Sequence, residues 1–331
     1  EGVTLDKKGK LSSKGRGGPY IQSQRLPIYK KYIEELLNAN QAYYCFCAKE
    51  RLEELRRTQE TNKLAPGYDG RCRNLPKAEV EQNLKADKTA VVRMKVPKDK
   101  TVNFTDLIRG EVSFESNLVD DQVLLKSDGF PTYHFAVVVD DHLMGITHVI
   151  RGEEWLPSTP KHILLYGMFG WRAPEFAHLP LLVNERRQKL SKRHGDVAVE
   201  DFKEKGYLPE ALVNFVAFLG WNPGDEREVF SLPELVKNFS LGRVGKSAAV
   251  FNVDKLDWFN NLYIKKMKET ELAGWLAVYL QNAGVDREKI DKKTLIKLAK
   301  IEKVRMNKLS DIADLTGFVF ADSLSYEPEL L

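Results

Sequence analysis

Apolar positions along the chain fall into two regimes, a mixed one up to about residue 194 and a uniformly helical one beyond Gly195. Ile28, Tyr32, Ile33, Leu36 and Leu37 recur at helical spacing and predict an amphipathic helix from about Leu26 to Leu37. A charged helix follows over AKERLEELRRTQETNK, residues 48–63. Alternation takes over from Thr89 to Val96, with shorter candidates near Val112 to Glu115 and Val123 to Lys126, the signature of strands in a small mixed domain. Ile146 to Ile150 has the β-branched density of a buried strand. At its C-terminal end stands Arg151-Gly152, where open α/β sheets bind ligands. Ser158 starts a helix whose face of Ile163, Leu164, Tyr166, Gly167 and Phe169 is expected on the sheet. Past Gly195 helical patterns follow one another over 199–206, 209–221, 231–239, 251–267, 271–284 and 292–315. Residues 1–18, rich in Lys, Gly and Ser, read as a flexible loop.

The length of 331 residues and 43% hydrophobic content suffice for two or three domains with real cores. A net charge of only +4 announces no overall field for nucleic acid, so an RNA surface has to be a local patch. Arg71, Arg73, Arg93, Lys95 and Arg109 are the basic candidates for it. No apolar run reaches membrane-spanning length, and no signal-peptide core opens the chain. Three cysteines, an odd count, argue against a disulfide scaffold and fit a reducing compartment, so the sequons at Asn103 and Asn238 carry no weight. The expectation is a soluble cytoplasmic protein.

Chemistry concentrates between Phe130 and Arg193. Asp140, Asp141, Arg151, Glu153 and Glu154 interrupt an almost uncharged run, and ionisable groups there are expensive unless paired or used on a ligand. The stretch closes on Lys189-Leu190-Ser191-Lys192-Arg193, two lysines flanking a small hydroxyl, a pattern suited to charge developing on a leaving phosphate. Taken alone, such a basic run reads as a solvated loop. Cys45, Cys47 and Cys72 can bring three thiolates to one tetrahedral metal. Asn74 stands two residues after the third cysteine and is a poor ligand, leaving Tyr68 as the candidate fourth; zinc and a metal-free cluster of buried thiols both stay open. Gly245-Lys246-Ser247 imitates the end of a Walker A loop, but Ser240 occupies the place of its first glycine and no apolar strand leads in.

YHFAVVVDDHLMGITHVIRGEEW, STPKHILLYGMFGW, HLPLL and KLSKR together resemble the bacterial-type glutamyl-tRNA synthetases along essentially the whole chain, and GPYIQSQRLPIY adds a further family-like run. KLSKR is similar to the second signature of class I aminoacyl-tRNA synthetases, the KMSKS motif. The resemblance implies an α/β fold, the second half of a class I Rossmann-type nucleotide-binding fold with an inserted mixed α+β acceptor-binding domain, followed by an all-α stem-contact and anticodon-binding region. It divides the chain into 1–36, the end of the first half of the catalytic fold; 37–128, the insertion; 129–194, the second half with the KLSKR loop; 195–267, the stem-contact domain; and 268–331, the start of the anticodon-binding domain.

The implied activity is a glutamate–tRNA ligase, with ATP and Mg2+, L-glutamate and tRNA(Glu) as cofactors and partners, zinc as a further candidate, and a monomeric state. Lys192 and Lys189, with Ser191, would steady the departing pyrophosphate. Arg193, Leu190, Glu154, Trp155 and Asp141 join Lys192 on the ATP side, and Tyr133 and Arg151 clamp glutamate. Val137 stands where relatives often carry asparagine, which removes one polar contact to the amino acid. The family's His-Ile-Gly-His signature does not occur, so the chain reads as a fragment lacking part of both ends and inactive alone. Other readings are a glutaminyl-tRNA synthetase, a paralogue that glutamylates a tRNA base, and a non-catalytic RNA-binding synthetase fragment.

Overall fold

The structure, a computed structural model, describes residues 17–190 and 198–321. The expected loop at the N-terminus therefore lies outside the described residues up to residue 16, as do Ser191, Lys192 and Arg193. The chain folds into two compact units, Glu1–His178 and Leu179–Leu331.

In the first unit the order is α1 (Leu26–Asn38), β1 (Ala42–Cys45), α2 (Lys49–Thr61), α3 (Lys77–Lys85), β2 (Val91–Met94), β3 (Thr101–Asp106), β4 (Gly110–Glu115), β5 (Val123–Leu125), α4 (Tyr133–Met144), β6 (His148–Gly152), α5 (Thr159–Met168) and β7 (Glu175–Leu179). Helix α1 starts with Pro27 in its first turn and buries Tyr29, Ile33 and Leu36, so the expected stripe is right but centred on Tyr29. Helix α2 buries nothing completely, consistent with its charge. Strands β1, β2 and β5 form an antiparallel sheet in that order. Asp121 ties this sheet to its surroundings: it accepts from the Tyr43 hydroxyl at 2.7 Å and Val96 N at 3.0 Å and pairs with Arg73.

The second sheet runs β4-β3-β7-β6. Hairpin β3–β4 turns tightly because the Asp106 carboxylate accepts from Ile108 N and Arg109 N, and β3 meets β7 in parallel at Asp106 and Phe176. Strand β6 ends the described order, and Ile150 stays 52% exposed. The β-branched density predicted burial here; an edge position overrides it. Helix α4 closes on Gly145 at φ 68°, with Ile146 N reaching back to Asp141 O at 2.9 Å. Helix α5 buries Thr159, Pro160, His162, Leu165 and Tyr166, not the predicted face. The buried positions 162, 165 and 166 keep helical spacing, but in a different phase: His162 packs as part of the interior, and only Tyr166 of the expected set is fully buried.

The second unit carries β8 (Leu182–Val183), α6 (Val199–Lys205), α7 (Pro209–Ala217), α8 (Leu232–Asn238), β9 (Ala249–Val250), α9 (Val253–Lys266), α10 (Glu269–Asn282), α11 (Lys292–Glu302) and α12 (Ile312–Phe320). It is helical as expected, with one correction: β9 pairs in parallel with β8. The pattern over 292–315 also breaks, because Met306 and Leu309 bury into the core while Asn260 and Asn261 take the carbonyls of Asn307 and Met306, each at 2.6 Å. No helix of the described residues is long and apolar enough to cross a membrane.

Candidate active site

Arg151 stands near the end of β6, and its guanidinium turns into the unit. Nε donates to His178 Nε2 at 3.1 Å and Nη2 to Thr159 Oγ1 at 2.9 Å. Both acceptors are neutral groups, so these bonds orient the cation without cancelling its charge. Glu153, two residues on, pairs with Arg109. The guanidinium lies 5.9 Å from the Trp155 ring and 5.8 Å from Phe176. Burial lowers the pKa of Arg151, with Tyr133, Asp141 and Asp106 acting in the opposite sense; arginine remains protonated in any case.

Tyr133, the first residue of α4, is half-exposed and sets its ring 5.2 Å from that of Trp155. It and Arg151 line one cavity of about 310 Å³ with Val137, Asp141, His162 and Tyr166. That volume falls at the lower end of small-ligand sites. Burial, with Asp140 beside it, pushes the Asp141 carboxyl up to about 6, against the pull of Arg151. His134 Nδ1 and His162 Nε2 lie 3.0 Å apart. Burial takes their pKa values down to about 4 and about 3, with Lys161 and Arg151 adding to the effect, so both are neutral near pH 7 and poor bases there. His142 stacks flat on Trp171 at 3.8 Å, a packing role. The pocket therefore offers one oriented cation, the phenols of Tyr133 and Tyr166 and the Asp141 carboxyl between largely apolar walls, and the cation with its phenol neighbour suits an acid group.

A second cluster forms where β1 meets the loop before α3. The Sγ atoms of Cys45, Cys47 and Cys72 lie within 4.8 Å of one another. The Tyr68 hydroxyl stands 3.4 Å from both Cys45 Sγ and Cys47 Sγ and accepts from Cys72 N at 2.9 Å. Burial raises the Cys45 thiol, but hydrogen bonding to Tyr68 and the Arg93 cation outweigh it and bring the thiol below its usual range. Cys47 is pushed up to about 11, by burial first. Three sulfurs converge with one phenol oxygen beside them, so the three thiols fit a zinc site, while burial and the neighbouring sulfurs push the Tyr68 hydroxyl well above its usual range.

Comparison with known proteins decides the family. Residues 4–258 match the family model described as tRNA synthetases class I (E and Q), catalytic domain. The chain is 52% identical to the glutamate–tRNA ligase of Clostridioides difficile over 99% of its length and 67% of that protein, and 51% identical to that of Alkaliphilus metalliredigens over 98% and 66%. This chain belongs to the glutamate–tRNA ligase family. The solved glutamate–tRNA synthetase of Elizabethkingia anophelis superposes with a TM-score of 0.86 at 38% identity, covering 95% of this chain and 68% of that one. A second solved relative, from Elizabethkingia meningosepticum, was determined in complex with its amino acid and gives a TM-score of 0.84 at 38% identity. The chain spans about two thirds of the length of the curated relatives it matches. Its α/β first unit and helical second unit are those of a class I aminoacyl-tRNA synthetase.

Of the residues expected to act in this family, Tyr133, Asp141 and Arg151 share the cavity, with Trp155 against Tyr133. Glu154 folds its carboxylate over Gly152, where a Cβ would collide with it. Lys189 and Leu190 begin the KLSKR signature on the return strand of a short hairpin: Lys189 bridges Val183, and Leu190 N donates to Leu182 O at 3.0 Å. Leu190 lines a separate cavity of about 610 Å³ within the second unit. The basic candidates for RNA contact divide. Arg93 is buried over the Tyr68 ring, Arg73 and Arg109 are engaged by Asp121 and Glu153, and Arg71 is exposed. Three residues behind Arg151 escaped the sequence reading: Asp106, Thr159 and His178. A histidine inside the apolar strand EFAHL was the available signal, since a buried ionisable group needs a partner.

Proposed function

We propose that the protein acts as a glutamate–tRNA ligase, a monomer in the cytoplasm that takes L-glutamate, ATP with Mg2+ and tRNA(Glu). In this reading a glutamate carboxylate oxygen attacks the α-phosphate of ATP, the α–β phosphoanhydride bond breaks, and pyrophosphate leaves. The adenylate then acylates the terminal adenosine of the tRNA with release of AMP. The chain's own side chains position and stabilise charge. Arg151 grips one carboxylate and Tyr133 donates its phenolic hydrogen. Asp141, Glu154, Trp155 and Leu190 border the nucleotide, and Lys189, Ser191, Lys192 and Arg193 steady the leaving phosphates. The observation that carries the proposal is the Arg151 guanidinium, held by two neutral acceptors in a cavity it shares with Tyr133.

In aminoacylation by the full-length protein, Arg151→Gln is expected to raise KM for glutamate by about tenfold or more with KM for ATP nearly unchanged. An unchanged KM for glutamate would remove Arg151 from the binding site. Cys45, Cys47, Cys72 and Tyr68 are proposed to hold a structural Zn2+, whose contribution when bound is to tie the segment after β1 to the loop between α2 and α3. Metal analysis should find about one zinc per chain, and less than about a tenth of that in Cys72→Ser. A metal-free wild-type chain after purification without chelators would reject the site.

A further inference from the structure

We infer that Asp106 and His178 are positioning residues for amino-acid binding: the Asp106 carboxylate fixes His178 as the Nδ1–H tautomer, whose Nε2 lone pair sets the Arg151 guanidinium. The inference rests on the glutamate-binding role proposed for Arg151 and deepens it. Both residues are essentially without solvent exposure, at 1% for Asp106 and 0% for His178. Asp106 Oδ2 lies 2.6 Å from His178 Nδ1, while Oδ1 accepts from Ile108 N at 3.0 Å, Arg109 N at 2.8 Å and His178 N at 3.3 Å. An aspartate so surrounded by donors is ionised and can only accept, so Nδ1 must carry the hydrogen.

The far nitrogen then decides what Arg151 does. Arg151 Nε bears one hydrogen and directs it at His178 Nε2 over 3.1 Å. A lone pair there receives it; an N–H there would set donor against donor and, in the imidazolium, cation against cation in a site closed to water. Thr159 Oγ1 completes the seat, 2.9 Å from Arg151 Nη2 and 3.1 Å from His178 Nε2. A planar guanidinium held along its Nε–Nη2 edge has its plane fixed. Strand pairing makes the arrangement possible: β3 brings Asp106 beside Phe176, which puts it within reach of His178 on β7. Neither Asp106 nor His178 lines the cavity, so each acts through Arg151.

The test exploits the tautomer. Asp106→Asn is nearly isosteric and keeps Oδ1 for Ile108 and Arg109, but its amide nitrogen must donate to Nδ1 and drives the histidine hydrogen to Nε2. In the full-length protein it is expected to raise KM for glutamate about tenfold, with KM for ATP within about twofold. His178→Gln has no tautomers and offers an amide oxygen to Arg151, so its KM should rise less than about threefold, and Asp106→Asn added to it should change KM less than about twofold. Equal effects of Asp106→Asn in both backgrounds would mean a structural role alone and overturn the inference. The reading of Arg151 fails separately: if Arg151→Gln leaves KM for glutamate unchanged the function falls, whereas a raised KM there with none in Asp106→Asn rejects only the positioning. A readout free of catalysis is long-range 1H–15N correlation of histidine in the 331-residue chain, expected to report Nδ1–H for His178 at pH 7. An Nε2–H or doubly protonated ring would overturn the inference whatever the kinetics.

Discussion

Asp140 and Asp141 are neighbours with opposite tasks. Asp140 accepts from Arg25 Nε at 2.8 Å and from the Tyr29 hydroxyl at 2.7 Å, and Arg25 is only 1% exposed. That arginine also donates to the carbonyls of Gly17 and Pro19, so Asp140 anchors the chain entering α1. Asp141, one residue on, has no ion pair among the described residues and lines the cavity. Asp140→Ala leaves a buried guanidinium without its counter-charge and is expected to lower stability by about 3 kcal/mol in urea unfolding. Tyr29→Phe should lower it by about 1 kcal/mol. Asp141→Asn removes a carboxyl already disfavoured as an anion, so stability at pH 7 should hold or rise. If Asp141→Asn cost as much as Asp140→Ala, this division of labour would be wrong. The sequence marks both residues as ionisable groups within an apolar run but cannot divide them, because the partner Arg25 lies 115 positions away.

Elements with strong periodicity were legible; those defined by distant partners were not. Helices α1, α2 and α5 and strands β2, β4 and β5 follow from local spacing. Strand β3 escaped because TVNFTD alternates against threonine and asparagine, its buried positions being only Val102, Phe104 and Asp106. Strand β9, two residues long, exists only through pairing with β8. The candidate site was half legible: Tyr133 and Arg151 stand out by resemblance, whereas the Asp106–His178 support depends on two strands meeting across 72 residues. The same limit hides Gly206, the C-terminal stop of α6 at φ 89°, whose Cβ would sit 2.7 Å from Leu309 N. Leu309 N also donates to Gly206 O at 3.0 Å, so backbone meets backbone and neither can yield. Gly206→Ala is expected to cost about 2 to 3 kcal/mol, read by thermal or urea unfolding. A loss under about 0.5 kcal/mol, the size of an ordinary surface substitution, would show that this contact relaxes freely.

At the level of the whole molecule, the buried histidines decide how stability depends on pH. His134 and His162 stand at about 4 and about 3 in the folded chain, against about 6.5 when unfolded. From pH 6.5 downward the unfolded chain binds protons that the native chain refuses, so stability falls as pH falls, by about 2 kcal/mol per histidine between pH 7 and 5. His178, also lowered by burial against the pull of Asp106, acts in the same direction. Asp141 opposes them: raised to about 6, it binds a proton in the native state first and returns about 1 kcal/mol over the same interval. Depressed carboxylates such as Asp69 and Asp106 act only below about pH 5, where their unfolded forms begin to protonate, and so add little over this interval. The balance is a loss of about 3 kcal/mol from pH 7 to pH 5, measurable as a fall in the urea midpoint at constant slope. His162→Gln should flatten that dependence while lowering stability at pH 7, since its amide carries no titration. A midpoint equal at the two pH values in the wild-type chain would mean that His134 and His162 bind protons in the fold as readily as in the unfolded chain, and the neutral state assigned to the two rings would have to be abandoned.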